Sequence, residues 1–383
     1  MSDRGDFVLE NARLVLPGRV VENGWAAVAD GLIAEWGEGP APERGVDFAG
    51  DYLLPGLVEI HTDHLESHFA PRAHVRWNAL SAVMAYDAQI AASGITTVFD
   101  SLRAGSDVDS PNVGTELMAL AEALETARGT GHMRVEHRTH LRCEIASPDV
   151  VEQAEGFAER FPVHLVSLMD HTPGQRQFRD LATWRLFYTR RSGMTEAEIQ
   201  AFISQRLELH ARFAAGHRKE LVALAGNWGA ELASHDYATR AHVAEAVDDG
   251  VLIAEFPTTV EAAQASHDAG IAVIMGAPNI VRGGSHSGNI AAGELAREGL
   301  LDALSSDYVP ASLLLAAFML PRHVPSISLP QAIDMVTRTP AKATGLNDRG
   351  EIAAGKRADL VRVALAGEAP IVRRVWSGGR IAA

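Results

Sequence analysis

Eight short apolar runs recur through the middle of this chain, and helical stretches separate them. The runs lie near Gly56–His61, Thr96–Asp100, His140–Glu144, Leu165–Met169, Glu231–His235, Leu252–Phe256, Ala272–Met275 and Leu304–Asp307. Between them fall helical patterns such as Leu80–Ser93, Thr115–Gly129 and Ser204–Gly226. Alternating strand and helix predicts a parallel sheet, and eight such units predict a closed (β/α)8 TIM-like barrel. Parallel strands deliver their carboxyl ends to one face, so residues far apart in sequence converge there. What stands at those ends therefore decides the chemistry.

The two ends of the chain read differently. Phe7–Leu9 and Arg13–Leu16 are short β-like runs broken by Gly and Pro, and the segment from about Gly350 resembles them. They predict a small β-sandwich domain built from both termini, 1–54 with 349–383, around a barrel over 55–348. The charged start, Met1 to Asp6, holds no apolar signal core. The longest apolar run, Ala311–Leu320, is too short to span a bilayer and reads as a buried helix. The single cysteine, Cys143, excludes an internal disulfide and suits a reducing cytoplasm. A net charge of −15 argues against nucleic acid as a partner. Whether the chain is a monomer or a symmetric homo-oligomer stays open.

The strand ends carry metal-grade side chains: His61 and Asp63, Glu144, His171, His235 and Asp307. Alternation along a strand sends residues i and i+2 to one side, which groups Glu59 with His61 and Asp63, and His140 with Arg142 and Glu144. The same alternation turns Cys143 outward. Imidazole and carboxylate converging on one mouth predict one or two divalent ions, Zn, Mn or Mg, serving hydrolysis. Two cations about 3.5–4 Å apart need a bridging anion. Some metal barrels use a carbamylated lysine, but Lys219 and Lys342 lie in helical stretches and Lys356 in the terminal β segment, so Glu144 is the candidate bridge. With one ion, it would instead sit behind the ligands. Asp307 is expected to bind metal and to take a proton from bound water; its structural alternative is a helix N-cap.

A glycine-rich run, Pro278 to Asn289, follows the seventh predicted strand, where barrels often bind phosphate. Its glycines free backbone N–H groups to curl around an anion, and Arg282, Ser285, His286 and Ser287 add donors. Only three of the 34 basic residues are lysines, and arginine makes bidentate contacts to phosphate oxygens. Arg142 and Arg176, near predicted strand ends, join the candidate phosphate contacts. The long segment between His171 and Glu231 carries Arg190-Arg191 and is a candidate lid.

The ordered set His61-x-Asp63, Glu144, His171, His235 and Asp307 resembles the amidohydrolase superfamily. So do Leu54-Pro55-Gly56-Leu57 and Gly355 to Val361. Longer blocks narrow the resemblance to the triphosphate diphosphatases of the carbon–phosphorus lyase pathway. These blocks are Glu59–Glu66, Glu136–Glu144, Ser167–Phe178, Ala233–Asp236, Ile253–Thr259, Met275–Asn289 and Ser305–Tyr308. The resemblance implies a metal-dependent hydrolase of α-D-ribose 1-methylphosphonate 5-triphosphate that releases pyrophosphate. His61-x-Asp63 replaces the wider superfamily's His-x-His, a change the narrower group shares. Two other readings compete: hydrolysis of a C–N bond, and a binding protein on a barrel that has lost catalysis. Arginine-rich strand ends and the run from Arg282 to Asn289 favour the triphosphate reading, and a full ligand set disfavours the binding protein.

Overall fold

The structure is a computed structural model, and it describes residues 5–72, 74–106, 112–176, 195–285 and 288–383. Five strands come first: β1 (Phe7–Leu16), β2 (Arg19–Ala29), β3 (Leu32–Glu38), β4 (Val46–Asp47) and β5 (Tyr52–Pro55). The barrel strands are β6 (Leu57–Thr62), β7 (Ile95–Ala104), β8 (Glu136–Glu144), β9 (Leu165–Met169), β10 (Glu231–His235), β11 (Ile253–Glu255), β12 (Ala272–Gly276) and β13 (Ala303–Ser305). Then follow β14 (Leu360–Ala366), β15 (Ala369–Ser377) and β16 (Arg380–Ile381).

Both ends of the chain meet in one mixed sheet, ordered β16-β15-β14-β5-β1-β2-β3, with β4 beside β1. The two N-terminal runs are one strand. A register shift between Leu9 and Ala12, with Asn11 at φ 54°, bulges β1 where the apolar pattern breaks. The sheet closes on its own core of Leu9, Leu14, Ile33, Phe48, Leu53 and Trp376.

The eight parallel strands run in sequence order from β6 to β13. A parallel bridge between Thr62 and Asp307 joins the two edges. Val58, Ile60, Phe99, Leu165, Ala233, Ile253, Ile274 and Ala303 fill the interior with an apolar plug. Outward residues, Cys143 among them, pack under the helices. Simple alternation fails in β6, whose register against β7 shifts between Glu59 and Thr62. A bulge lets neighbouring residues share one side: Ile60 joins the plug, while His61 reaches the cavity above it. Because β8 begins at Glu136, Arg138 lies at the strand's amino end, paired with Glu136 at 2.8 Å and far from the mouth.

The described part of the long insert is a helix, Glu196–Trp228, opened by a Thr195–Glu198 capping box and closed by Gly229 at φ 68°. It is docked on the barrel. Ile199, Phe202, Ile203 and Leu221 are buried, His210 Nδ1 lies 3.0 Å from Asp170, and Arg218 donates to Tyr237 and Asp249. Arg190 and Arg191 lie outside the described residues. The apolar run at Ala311–Leu320 is a helix over Ser312–His323. Among the described residues, no helix is long and apolar enough to cross a membrane.

A charge cluster clamps the terminal segment to the barrel. Arg349, only 5% exposed, donates at 2.8 Å to both Thr97 and Glu136, and Arg357 donates to Glu136 and Asp359. Burial alone would raise the Glu136 carboxyl, but the two guanidiniums outweigh it and hold the group at about 2. Its folded value lies below its unfolded one, so the clamp stabilises the fold above about pH 4.3 and fades as pH falls towards 2. Glu136→Ala leaves Arg349 buried with a partner missing and is expected to cost about 2–3 kcal/mol in urea unfolding. Glu136→Gln is expected to flatten the acid limb of the stability profile.

Candidate active site

A cavity of about 280 Å³ opens at the carboxyl ends of the barrel strands. His61, Asp63, Arg142, His171, His235 and Asp307 line it from the strand ends, and Arg282 and Ser285 from the segment after β12. Eight expected site residues, scattered over more than half of the chain, thus share one space. His286 and Ser287 lie outside the described residues.

Three histidines are held in the same manner. His61 Nδ1 lies 2.8 Å from Glu255 Oε1, His235 Nδ1 lies 2.8 Å from Asp236 Oδ2, and His171 Nδ1 lies 2.6 Å from Glu144 Oε2. The His235 ring centroid is 5.4 Å from that of His61 and 5.6 Å from that of His171. An imidazole that gives its Nδ1 hydrogen to a carboxylate keeps a lone pair at Nε2, the arrangement in which histidine binds a metal. The His235 Nε2 atom is buried and has no hydrogen-bond partner, which fits an electron-pair donor waiting for a cation. Ligand atoms of His171, His235 and Asp236 lie within 4.8 Å of one another, as do those of His61, His140 and Glu255. The first group is chemically suited to a divalent ion; in the second, His140 and Glu255 are engaged with Ser167 and with His61 Nδ1.

The carboxylates differ in their surroundings. Burial, reinforced by the nearby Asp63 charge, pushes the Asp307 carboxyl up to about 7. Burial opposes ionisation of Asp236 too, but His235 outweighs it and the carboxyl is lowered. Burial pushes His61 well below its usual value, and the Arg142 charge adds to this, so the ring is neutral. Asp307 is no helix cap, because the next helix starts at Ser312 with Ala311 as its cap residue. Its backbone sits at φ 56°, and so do Asp236 and Phe256 at φ 57° and φ 54°. Left-handed backbone at three strand ends is strain concentrated around one cavity.

Glu144 does not face the cavity. Its Oε1 accepts from the His171 backbone N–H at 3.0 Å and its Oε2 pairs with the ring, so both oxygens serve His171. Burial opposes this ionised form, but the hydrogen bonds from the His171 ring and backbone N–H hold the group low. In this structure both oxygens face His171, and Glu144 is not among the residues lining the cavity. Arg176 also lies elsewhere. It is buried at φ 35° over the Tyr237 ring, 4.5 Å from its centroid, and 3.4 Å from Glu245. Glu245 and the Tyr237 ring take part of the guanidinium, its Nη1 is buried without a hydrogen-bond partner, and the residue is not among those lining the cavity. Arg282 ends a short helix, Ala277–Arg282, and only from Gly283 at φ 77° does the glycine-rich run become a loop.

Sequence reading missed Asp236, Glu255 and Phe256. Asp236 and Phe256 each follow the last residue of a strand, and adjacency to His235 was the available signal for Asp236. Phe256 packs edge-on against His61 and His235, with centroids 4.8 and 5.3 Å away. Glu255 looked like one polar residue inside an apolar run. Glu144→Ala strips two acceptors from His171; it is expected to cost about 1–3 kcal/mol in urea unfolding. Cation affinity, measured by chelator competition, is expected to fall about 10- to 100-fold.

Comparison with known proteins bears on this geometry. A model of the amidohydrolase family matches residues 52–382. The alpha-D-ribose 1-methylphosphonate 5-triphosphate diphosphatase of Escherichia coli K12 is 46% identical over 377 residues, covering 98% of this chain and 99% of that protein. An imidazolonepropionase from Bradyrhizobium is 27% identical over 415 residues, covering 99% of this chain and all of that protein. Among solved structures, N-acetyl-D-glucosamine-6-phosphate deacetylase from Mycobacterium smegmatis superposes with a TM-score of 0.64 at 17% identity, covering 98% of this chain and 99% of the other. That last likeness concerns the fold alone. The barrel flanked by a sheet from both termini, the histidine–carboxylate mouth and the match over residues 52–382 agree, and the chain belongs to the amidohydrolase family.

Proposed function

We infer that this protein is a metal-dependent hydrolase that cleaves α-D-ribose 1-methylphosphonate 5-triphosphate. The products are α-D-ribose 1-methylphosphonate 5-phosphate and pyrophosphate, as the name of the Escherichia coli relative implies for that enzyme. The observation that carries the reading is a single cavity that combines three carboxylate-held imidazoles with Arg142 and Arg282. Hydrolysing a C–N bond needs the first feature alone, whereas a polyphosphate needs both. The protein's net charge of −15 repels a polyanion, so local cations must outweigh the overall field.

In this reading His61, Asp63, His171, His235 and Asp307 hold one or two divalent ions, Zn, Mn or Mg. Asp236 lies close enough to join them. When bound, such an ion supplies Lewis acidity and makes water acidic enough to attack at neutral pH. The chain's own groups do the rest. Asp307, whose carboxylate lines the cavity, takes the proton of the attacking water. Attack at the α-phosphorus forms one P–O bond and breaks the α–β anhydride bond, whose electron pair leaves with pyrophosphate. Arg142 has a buried Nε without a hydrogen-bond partner and stands only 3.7 Å from Asp63, placed to meet a phosphoryl oxygen. Arg282 and Ser285 bind the departing pyrophosphate, and His286 and Ser287 extend the same donor-rich run. Fixed positive groups facing charge that develops on phosphoryl oxygens lower the barrier without reorganising.

The direct test is a phosphorus NMR time course with this triphosphate and metal-loaded protein. Wild type is expected to release pyrophosphate and Asp307→Asn to release none. Release of single phosphate would place the attack at the wrong phosphorus, and no turnover with metal bound would favour C–N hydrolysis. Arg282→Ala is expected to keep its metal and to lose roughly 10- to 100-fold in kcat/KM, the worth of a hydrogen bond to a charged group.

A further inference from the structure

Beneath the cavity the barrel interior turns polar for one layer before the apolar plug begins. Ser101 on β7, His140 on β8, Ser167 on β9 and Glu255 on β11 make that layer, and all four are buried. None of them lines the cavity, yet they are bonded in a row that ends on His61. Ile60 O lies 2.9 Å from His140 Nδ1, His140 Nε2 meets Ser167 Oγ, Ser167 Oγ lies 2.5 Å from Glu255 Oε2, and Glu255 Oε1 lies 2.8 Å from His61 Nδ1.

Counting hydrogens makes the row directional. His140 Nδ1 lies 2.9 Å from Ile60 O, which only accepts, and 3.2 Å from the Ser101 hydroxyl; the shorter contact favours a hydrogen on Nδ1. Two hydrogen bonds then join His140 Nε2, Ser167 Oγ and Glu255 Oε2, and the serine brings one hydrogen. The second belongs to one end of the trio, and either end leaves the row unbroken. Glu255 Oε1 has no hydrogen in either arrangement, so the His61 Nδ1 must donate to it. That tautomer leaves the lone pair on His61 Nε2. His140 and Glu255 also have ligand atoms near His61, but internal hydrogen bonds already use them.

We propose that His140, Ser167 and Glu255 form a positioning relay through the barrel interior that fixes the tautomer and tilt of the His61 ring, so that Nε2 faces the cavity. The proposal rests on the reading of His61 as a cation ligand. The relay spans β6, β8, β9 and β11, so it ties ligand geometry to the register of four strands. The bulge in β6 frees Ile60 from regular pairing and places its carbonyl at the start of the row.

The test uses the full chain labelled with ¹⁵N-histidine, with cation affinity read by chelator competition. Ser167→Ala breaks the row and Ser167→Thr keeps its hydroxyl. The expected result for Ser167→Ala is a 10- to 100-fold loss of affinity, a size typical of groups behind metal ligands. The His61 ring nitrogens should shift from one tautomer towards a mixture, and Ser167→Thr should restore both readouts. Wild-type affinity and unchanged His61 nitrogen shifts in Ser167→Ala would overturn the relay. Should that variant fail to fold, His140→Gln, which removes the ring donor to Ser167, is read by the same two criteria. His61→Ala separates the two readings. Undiminished affinity there overturns the ligand assignment, whereas lost affinity there with a silent Ser167→Ala overturns the relay alone.

Discussion

The seam that closes the barrel is the constraint on which the site depends. Asp307 N–H donates to His61 O at 3.1 Å, Asp63 N–H donates to Asp307 O at 3.2 Å, and the Thr62 hydroxyl donates to the same carbonyl at 2.7 Å. These bonds are how the first strand of the barrel meets the last. They also bring three of the cavity's ionisable residues side by side. Behind the seam, Glu59 accepts from the backbone N–H of His61 at 2.7 Å and takes the N–H of Ser306 at 2.5 Å. These are the donors that a bulged edge leaves without a ladder partner. Burial pushes the Glu59 carboxyl up to about 8, so the seam is held by a group that is only weakly ionised at neutral pH. Closing the fold and assembling the mouth are one event.

Each strand then supplies depth as well as position. Along β8, Arg138 sits at the amino end, His140 in the polar layer and Arg142 at the mouth. Along β11, Ile253 belongs to the apolar plug and Glu255 to the polar layer, while Phe256 beyond the strand packs on two imidazoles. The interior therefore grades from hydrocarbon to hydrogen-bonded polar groups to open charges. A buried carboxylate is costly unless it is paired, and here the pairing partner in each case is a histidine ring whose other nitrogen is left for the cavity. The desolvation that would otherwise penalise Glu144, Asp236 and Glu255 is offset by the same bonds that orient the rings.

Much of this was legible in the sequence, and the failures have physical causes. The eight strands were found because fully buried parallel strands are continuous apolar runs and need no fine periodicity. His61, Asp63, His171, His235 and Asp307 were found because they interrupt such runs at the end that faces the mouth. Glu144 was placed correctly along its strand, and the pairing of both its oxygens with His171 is a contact that sequence cannot show. The surroundings of Arg176 were hidden for a related reason: Glu245 and the Tyr237 ring come from a segment more than sixty residues away. The bulge in β6 was invisible to strict alternation. So Glu59 was grouped with His61, although it lies behind the strand where it caps the seam.

The left-handed residues at the strand ends explain why these polar groups sit where they do. A strand that continued regularly past His235 would send Asp236 to the opposite side, away from that ring. At φ 57° the backbone turns instead, and the Asp236 carboxylate lies 2.8 Å from the His235 nitrogen. Aspartate tolerates this conformation better than most residues, because its short side chain bonds locally. Phenylalanine does not, and holding Phe256 at φ 54° costs on the order of 1–3 kcal/mol. The ring recovers part of that by packing on His61 and His235 at once. Both imidazoles pack on the same ring, so the relay below His61 and the carboxylate beside His235 act on a pair that shares one packing partner.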